Sequence, residues 1–180
     1  PAGSNPVPDP GNRIIVTSDG AASGKAFRWG SLTTAQQNAL NQKPGAAPCA
    51  GTGANCDGYG STRLDYLRGK RDNETAPATP LLRTRLSLLG AVINGEPTYV
   101  SSPRSGYHDM FPPGSPEATA AASDTTNTYA YYQNAQRARR QMIYVGANDG
   151  MLHAFDANTG AEAWAFVPDT VIRNGRLANS

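Results

Sequence analysis

Lysine is nearly missing from this sequence: there are three, against thirteen arginines, ten aspartates and four glutamates. The net charge is only +2 and the basic residues are scattered, without the basic stripe and interleaved aromatics of a nucleic-acid binder. The apolar share of 38% and the charged share of 17% fall below the soluble-domain norms of about 45–50% and about 25%. No apolar run approaches the roughly 18 residues needed to cross a bilayer, and mean hydropathy is −0.50. These shortages exclude a membrane span, a coiled coil and a helical bundle. No targeting segment is visible either, but the opening Pro1-Ala2-Gly3-Ser4-Asn5-Pro6 reads as an internal start, so targeting is left open.

Cysteine and histidine are almost as scarce. The two histidines, His108 and His153, are too far apart to suggest a ligand pair; His108 reads as a solvated loop residue and His153 as facing an adjacent strand. The two cysteines, Cys49 and Cys56, lack the C-x-x-C spacing and have no histidine nearby, which argues against zinc and thioredoxin-like redox chemistry. The segment between them is built from Gly, Ala, Thr and Asn and can curl back on itself. A local disulfide is the favoured reading; two unrelated thiols in a reducing compartment are the alternative. A bridge would imply folding outside the cytoplasm.

Glycine (19) and proline (14) are in surplus, which points to turns, loops and short strands. Residues 1–12 read as a linker or tail, and residues 13–96 as a loop-rich segment with short helices. Within it, Arg13-Ile14-Ile15-Val16-Thr17 is strand-like and ends at the Asp19-Gly20 turn. Thr33 or Thr34 with Gln36 or Gln37 offers a capping box for a helix over 33–42. A second capped helical turn is expected over 61–68, with Leu64 and Leu67 on one face and Gly69 as its stop. Residues 97–100 form a strand with Pro97 at its entry. Residues 103–126, polar and broken by prolines, read as a long surface insertion, and Thr128 to Arg139 as a helix with Tyr129 and Tyr132 on its inner face. Arg137, Arg139 and Arg140 could cradle an anion, but a solvated helix end is the simpler reading.

The C-terminal fifty residues carry the clearest pattern. Strand-like 141–147 leads to the turn Asn148-Asp149-Gly150, an alternating strand over 151–156, the turn Asn158-Thr159-Gly160 and a third strand over 163–167. Such a meander cannot bury both faces alone and needs similar sheets beside it. Gly20-Ala21-Ala22-Ser23-Gly24-Lys25 imitates a phosphate loop but has three residues between its glycines where four are required, and Ala26 where Ser or Thr should stand. There is no G-x-S-x-G nucleophile elbow and no D-x-[DN]-x-[DN]-G calcium loop. Asn73-Glu74-Thr75 fits a glycosylation sequon, a pattern common by chance.

The stretch Ala154-Phe155-Asp156-Ala157-Asn158-Thr159-Gly160-Ala161-Glu162-Ala163-Trp164 resembles the tryptophan-docking motif of quinoprotein-type propeller blades. In it Asp156 and Thr159 would hold the turn, Gly160 would supply a positive φ, and Trp164 would lie on a neighbouring blade. The wider text includes 83–90, 94–100, Tyr144-Val145-Gly146-Ala147-Asn148-Asp149-Gly150-Met151-Leu152-His153-Ala154-Phe155-Asp156 and 162–168. It resembles the entry into the C-terminal propeller of the PilC/PilY family of type IV pilus assembly and tip-associated adhesin proteins. Tyr66-Leu67-Arg68-Gly69 is similar to that family's pre-propeller segment.

The resemblance implies a mainly β fold: the first blade of a quinoprotein-like propeller over 97–180, with a long insertion at 103–139 inside it, as a fragment of a larger propeller domain. Gly146, Asp149, Gly150, Ala154, Asp156, Thr159, Gly160 and Trp164 would be its structural motif residues. It implies a non-enzymatic module in pilus assembly, twitching motility and attachment, at the periplasm, outer membrane or cell surface at the pilus tip. Partners would be the remaining blades of the same polypeptide, major or minor pilins and a host-surface receptor, with no nucleic acid. No cofactor is expected in this segment; the family's calcium loop would lie elsewhere. An integrin-type Arg-Gly-Asp is replaced here by Arg68-Gly69-Lys70. The alternatives are a pyrroloquinoline-quinone dehydrogenase propeller, whose cofactor ligands and catalytic Asp are not identifiable here, and an outer-membrane protein-binding scaffold.

Overall fold

The computed structural model describes residues 7–21, 23–175 and 177. Six strands form one sheet: β1 (Ile15–Ser18), β2 (Gly24–Ala26), β3 (Thr98–Val100), β4 (Met142–Gly146), β5 (Leu152–Asp156) and β6 (Glu162–Val167). Their spatial order is β2-β1-β6-β5-β4-β3. The row β3 to β6 is the four-stranded blade expected from the sequence. Beyond it, β1 pairs parallel with β6, Ile15 opposite Ala165 and Val16 opposite Phe166, and β2 pairs antiparallel with β1. The strand-like signal at 13–17 gave no hint of this parallel partner about 150 residues away. The phosphate-loop imitation proves to be the β1–β2 hairpin, where Asp19 accepts hydrogen bonds from the N–H groups of Ala21 and Ser23.

The chain divides into two compact units, 1–98 with 143–180, and 99–142. In the first, helix α1 (Thr34–Asn41) packs against α2 (Gly60–Leu67) and α5 (Asp169–Arg173). The capping box falls on Thr33 and Gln36, each side chain accepting from the other's backbone N–H. Fully buried Gln36 then uses its amide nitrogen to donate to the Ser18 carbonyl and to Asp169, fastening α1 to β1 and α5. Leu40, Leu64, Leu67 and Ile172 from the helices meet Ile15, Ala165, Val167 and Met151 from the sheet and its hairpin, with Phe27 between them. One face of the sheet is thereby covered.

Helix α2 starts one residue earlier than the Ser/Thr cap signal suggested. Its N-terminal cap position is Tyr59, without a side-chain capping bond, and Asn41 Oδ1 accepts from the Gly60 N–H instead. Tertiary contact with α1 has replaced the local cap. Gly69 ends the helix as expected, at φ +115°.

The second unit holds α3 (Pro116–Ser123) and α4 (Tyr129–Ala135), neither of which buries a residue. Helix α3 falls in a stretch expected to be loop, although Ser115 and Pro116 are a sound start signal: Ser115 Oγ accepts from the Ala118 N–H and Pro116 occupies the first turn. Helix α4 stops at Ala135 rather than Arg139, since it has no apolar face whose burial would extend it. Asp109 accepts from the N–H groups of Tyr129 and Ala130, and the Tyr107 and Tyr129 rings meet edge-on at 5.5 Å. Among the described residues, no helix is long and apolar enough to cross a membrane.

Candidate functional site

The two turns of the blade are built as their sequence demands. In the first, Gly150 adopts φ +83°, and Asp149 accepts from the Met151 N–H. In the second, Asp156 Oδ1 accepts from the N–H groups of Asn158 and Thr159 and from the Thr159 hydroxyl, while Gly160 sits at φ +73°. Gly146, exposed on β4, presents its carbonyl to Gly95: a β-carbon added at Gly95 would lie 2.9 Å from that oxygen.

Between the turns, β5 and β6 are out of simple register. Leu152 faces Phe166, His153 faces Ala165 and Ala154 faces Trp164, yet Phe155 faces Glu162. The bulge consumes one residue of β6. Strict alternation from Trp164 would put Glu162 on the open face of the sheet; the bulge rotates it to the covered face. There its carboxylate meets two partners. Arg13 donates from Nε to Oε2 and from Nη2 to Oε1, both at 2.7 Å, and His153 Nδ1 lies 2.7 Å from Oε1. The other imidazole nitrogen, Nε2, lies 3.0 Å from Asp149 Oδ2.

Arg13, Glu162, His153 and Asp149 therefore form a continuous chain of alternating charge, buried at the first three and half-buried at Asp149. Burial pulls the His153 pKa down, but the hydrogen bonds of Asp149 and Glu162 and their charges more than reverse it, holding it at about 9. Burial likewise pushes Glu162 up, and His153 and Arg13 bring it below the ordinary carboxylate value. At neutral pH both are charged.

This chain fastens segments distant in sequence. Arg13 Nη1 also donates to the carbonyls of Leu67 and Arg68, and Arg68 donates to the carbonyls of Phe27, Pro10 and Arg13. Arg68, the first residue of the tripeptide that stands in place of an Arg-Gly-Asp, is 4% exposed and committed to carbonyls, so it does not present its charge to a receptor. Asp149 Oδ2 accepts from the Gly90 N–H, and the Asn148 N–H donates to the Ala91 carbonyl, docking the extended 83–91 segment. Nearby, Arg85 lies over the Tyr66 ring at 3.6 Å and donates to buried Glu74. His153 does face the neighbouring strand. The ion pairs of Arg13 and Glu162 had no sequence signal, because the bulge that aims Glu162 inward leaves no local mark.

The opposite face of the sheet is apolar. Register places Ile14, Val16, Leu152, Trp164 and Phe166 there together, and Tyr144 joins them with its ring 5.8 Å from Trp164. Ile14 is 61% exposed, Leu152 38% and Val16 37%. This is the face on which the motif reading puts a neighbouring blade. Elsewhere, Cys49 and Cys56 are joined in a disulfide. The bridged loop is closed at its neck by Lys43 donating to the Asn55 carbonyl and Asp57 to the Asn41 carbonyl.

Comparison with known proteins gives these features a context. The family described as the PilY1 β-propeller domain matches residues 116–180. Two proteins named type IV pilus biogenesis factor PilY1, from Pseudomonas aeruginosa strains PAK and PAO1, are each 35% identical over 161 residues, which is 89% of this chain and 12% of the relative. A PilY1 homologue of Xylella fastidiosa is 41% identical over 107 residues, 59% of this chain and 8% of its own length. The chain thus spans about an eighth of the length of the Pseudomonas relatives. No solved structure matches.

Proposed function

This chain is a PilY1-type segment, its residues 116–180 lying in the PilY1 β-propeller domain, and from that premise we propose that it works as the first blade, with its supporting wrap, of a propeller in a type IV pilus biogenesis factor. Its role is architectural and not catalytic, and serves pilus assembly, twitching motility and attachment to surfaces or hosts.

The observation that carries this reading is the open apolar face of Ile14, Val16, Leu152, Trp164 and Phe166, opposite the face that packs on the helices. A contiguous apolar surface on one side of a sheet calls for another sheet against it, and the remaining blades of the same polypeptide are the natural occupant. The polar groups of the blade favour a non-enzymatic role over a quinone-dependent dehydrogenase: Asp149, Asp156, His153 and Glu162 are committed to turns and to the buried chain. On this reading the segment takes no cofactor of its own, and calcium belongs to other parts of the propeller. Pilins and a host receptor bind surfaces that the stacked blades present. The bridged cysteines suit an oxidising compartment, at the envelope or the cell surface.

The test compares Ile14→Lys with Leu152→Lys in this segment alone and in the full-length protein. In the segment both are tolerated, because the side chains already meet solvent. In the full-length protein they lower the propeller's melting temperature and reduce surface piliation and twitching. Equal tolerance in both contexts would refute the blade reading. Quinone-dependent dye reduction by the full-length protein would overturn the non-enzymatic role.

A further inference from the structure

The 99–142 unit contains a surface hollow of about 260 Å³ that the architectural role does not use. One wall is the stretch Ser102, Pro103 and Arg104; the other is Ala130, Gln133, Asn134 and Arg137. Residues 130, 133, 134 and 137 recur at helical spacing, so one stripe of α4 and the turn after it forms that wall. Gln133 Nε2 donates to the Pro103 carbonyl and fixes the two walls to each other.

The charges around the hollow are unbalanced. Arg104 and Arg137 are exposed, both line it, and neither guanidinium has a partner among the described residues. The carboxylates that could have paired with them are mostly committed: Asp109 accepts from the Tyr129 and Ala130 N–H groups, and Asp124 from the Thr126 N–H. Arg139, by contrast, is anchored, donating to the Tyr132 hydroxyl. Two unpaired planar donors with a hydroxyl and two carboxamides around one small hollow match the oxygen atoms of a carboxylate.

We propose that this hollow receives an acidic side chain from an extended segment of a partner protein. The volume lies below the roughly 300–1,000 Å³ of sites that enclose a whole small molecule, and fits one inserted side chain with the rest of its chain outside. The unit's composition is that of a protein interface: it has four arginines, five of the chain's eight tyrosines and no lysine. Tyr99, Tyr107 and Tyr131 are each more than half exposed. Arg and Tyr enrichment with Lys depletion favours a polypeptide partner over an acidic saccharide.

The experiment titrates the whole chain with a fluorescent, N-acetylated hexaglutamate peptide, with hexalysine peptide and trigalacturonate as controls. The expected result is binding of hexaglutamate alone, weakened by salt. Arg104→Gln or Arg137→Gln weakens it about tenfold. Both residues are exposed, and an unchanged circular dichroism spectrum establishes that the variants fold. Arg83→Gln, an exposed arginine outside the unit, leaves binding unchanged. Equal binding by wild type and the Arg104→Gln/Arg137→Gln double variant overturns the proposal. So does tighter binding of trigalacturonate than of the peptide, or no binding of hexaglutamate at millimolar concentration.

Discussion

Arg13 and Glu162, separated by 149 positions in the chain, share a two-pronged ion pair in which both contacts are 2.7 Å and both side chains are sealed from solvent. The pair joins a residue two positions before the first strand to the start of the last one. Removing either partner strands the other charge in the interior, which typically costs about 3–5 kcal/mol. Glu162→Gln is therefore expected to lower unfolding stability by about that amount in urea titration. The double variant Arg13→Met/Glu162→Leu should lose less than the sum of the two single changes, because neither charge of this pair is left facing an empty partner, while His153 still loses its Glu162 contact. A double loss equal to the sum of the two singles would contradict this coupling.

His153 sets the pH dependence. Its folded pKa of about 9 lies above its unfolded value near 6.5, so the protonated ring stabilises the fold fully below pH 6.5. That contribution is lost as pH rises through 9, and amounts to about 3 kcal/mol. Asp149, Glu162 and Arg13 are the charged groups around it. Urea midpoints between pH 6 and pH 10 should fall in that window, and His153→Gln should start lower at pH 6 and flatten the decline. Glu162 acts at the other end: its lowered pKa gives stability that is present above 4.5 and lost on acidification below it.

Gly90 is tied to the first hairpin by space as well as by its hydrogen bond to Asp149. A β-carbon there would stand 2.5 Å from the Asp149 backbone nitrogen. Gly90→Ala should cost about 1–3 kcal/mol through that clash. Hydrogen exchange should locate the effect at residues 83–91, with rapid exchange of the Gly90 amide while β5 and β6 stay protected. Unchanged protection at Gly90 would mean the contact is slack.

Closing an eight-residue loop through Cys49 and Cys56 is worth about 2.5 kcal/mol in the chain-entropy model. Reduction should lower stability by roughly that much and speed amide exchange within 43–57. The Arg63–Asp57 ion pair beside the loop should keep α2 in place. Intact mass with and without reductant checks the bond itself.

Local chemistry was legible in the sequence, and remote chemistry was not. Thr33 with Gln36, Gly150 and Gly160 each answer to neighbours within four residues, so their roles could be read directly. The parallel seating of β1 beside β6 has no local signature, since the pairing partner lies at the far end of the chain. The inward turn of Glu162 depends on a bulge, which periodicity cannot reveal. The burial of Arg68 has no local signature either: the carbonyls of Pro10, Arg13 and Phe27 that converge on it come from remote parts of the chain. The helix at 116–123 could have been anticipated from Ser115-Pro116, but the prolines around it argued for loop.

The placement of β1 also governs the order of assembly. Parallel pairing of Ile15 with Ala165 closes nearly the whole chain into one loop, the type of contact that forms late and slows folding. As the polypeptide emerges from the ribosome or crosses a membrane, residues 13–18 must wait for β6 before they can dock. Until then the strand has only its local hairpin partner β2, and the edge that β6 will occupy stays open beside Ile14, Ile15 and Val16, which makes this stretch a point where a holding chaperone would have much to protect.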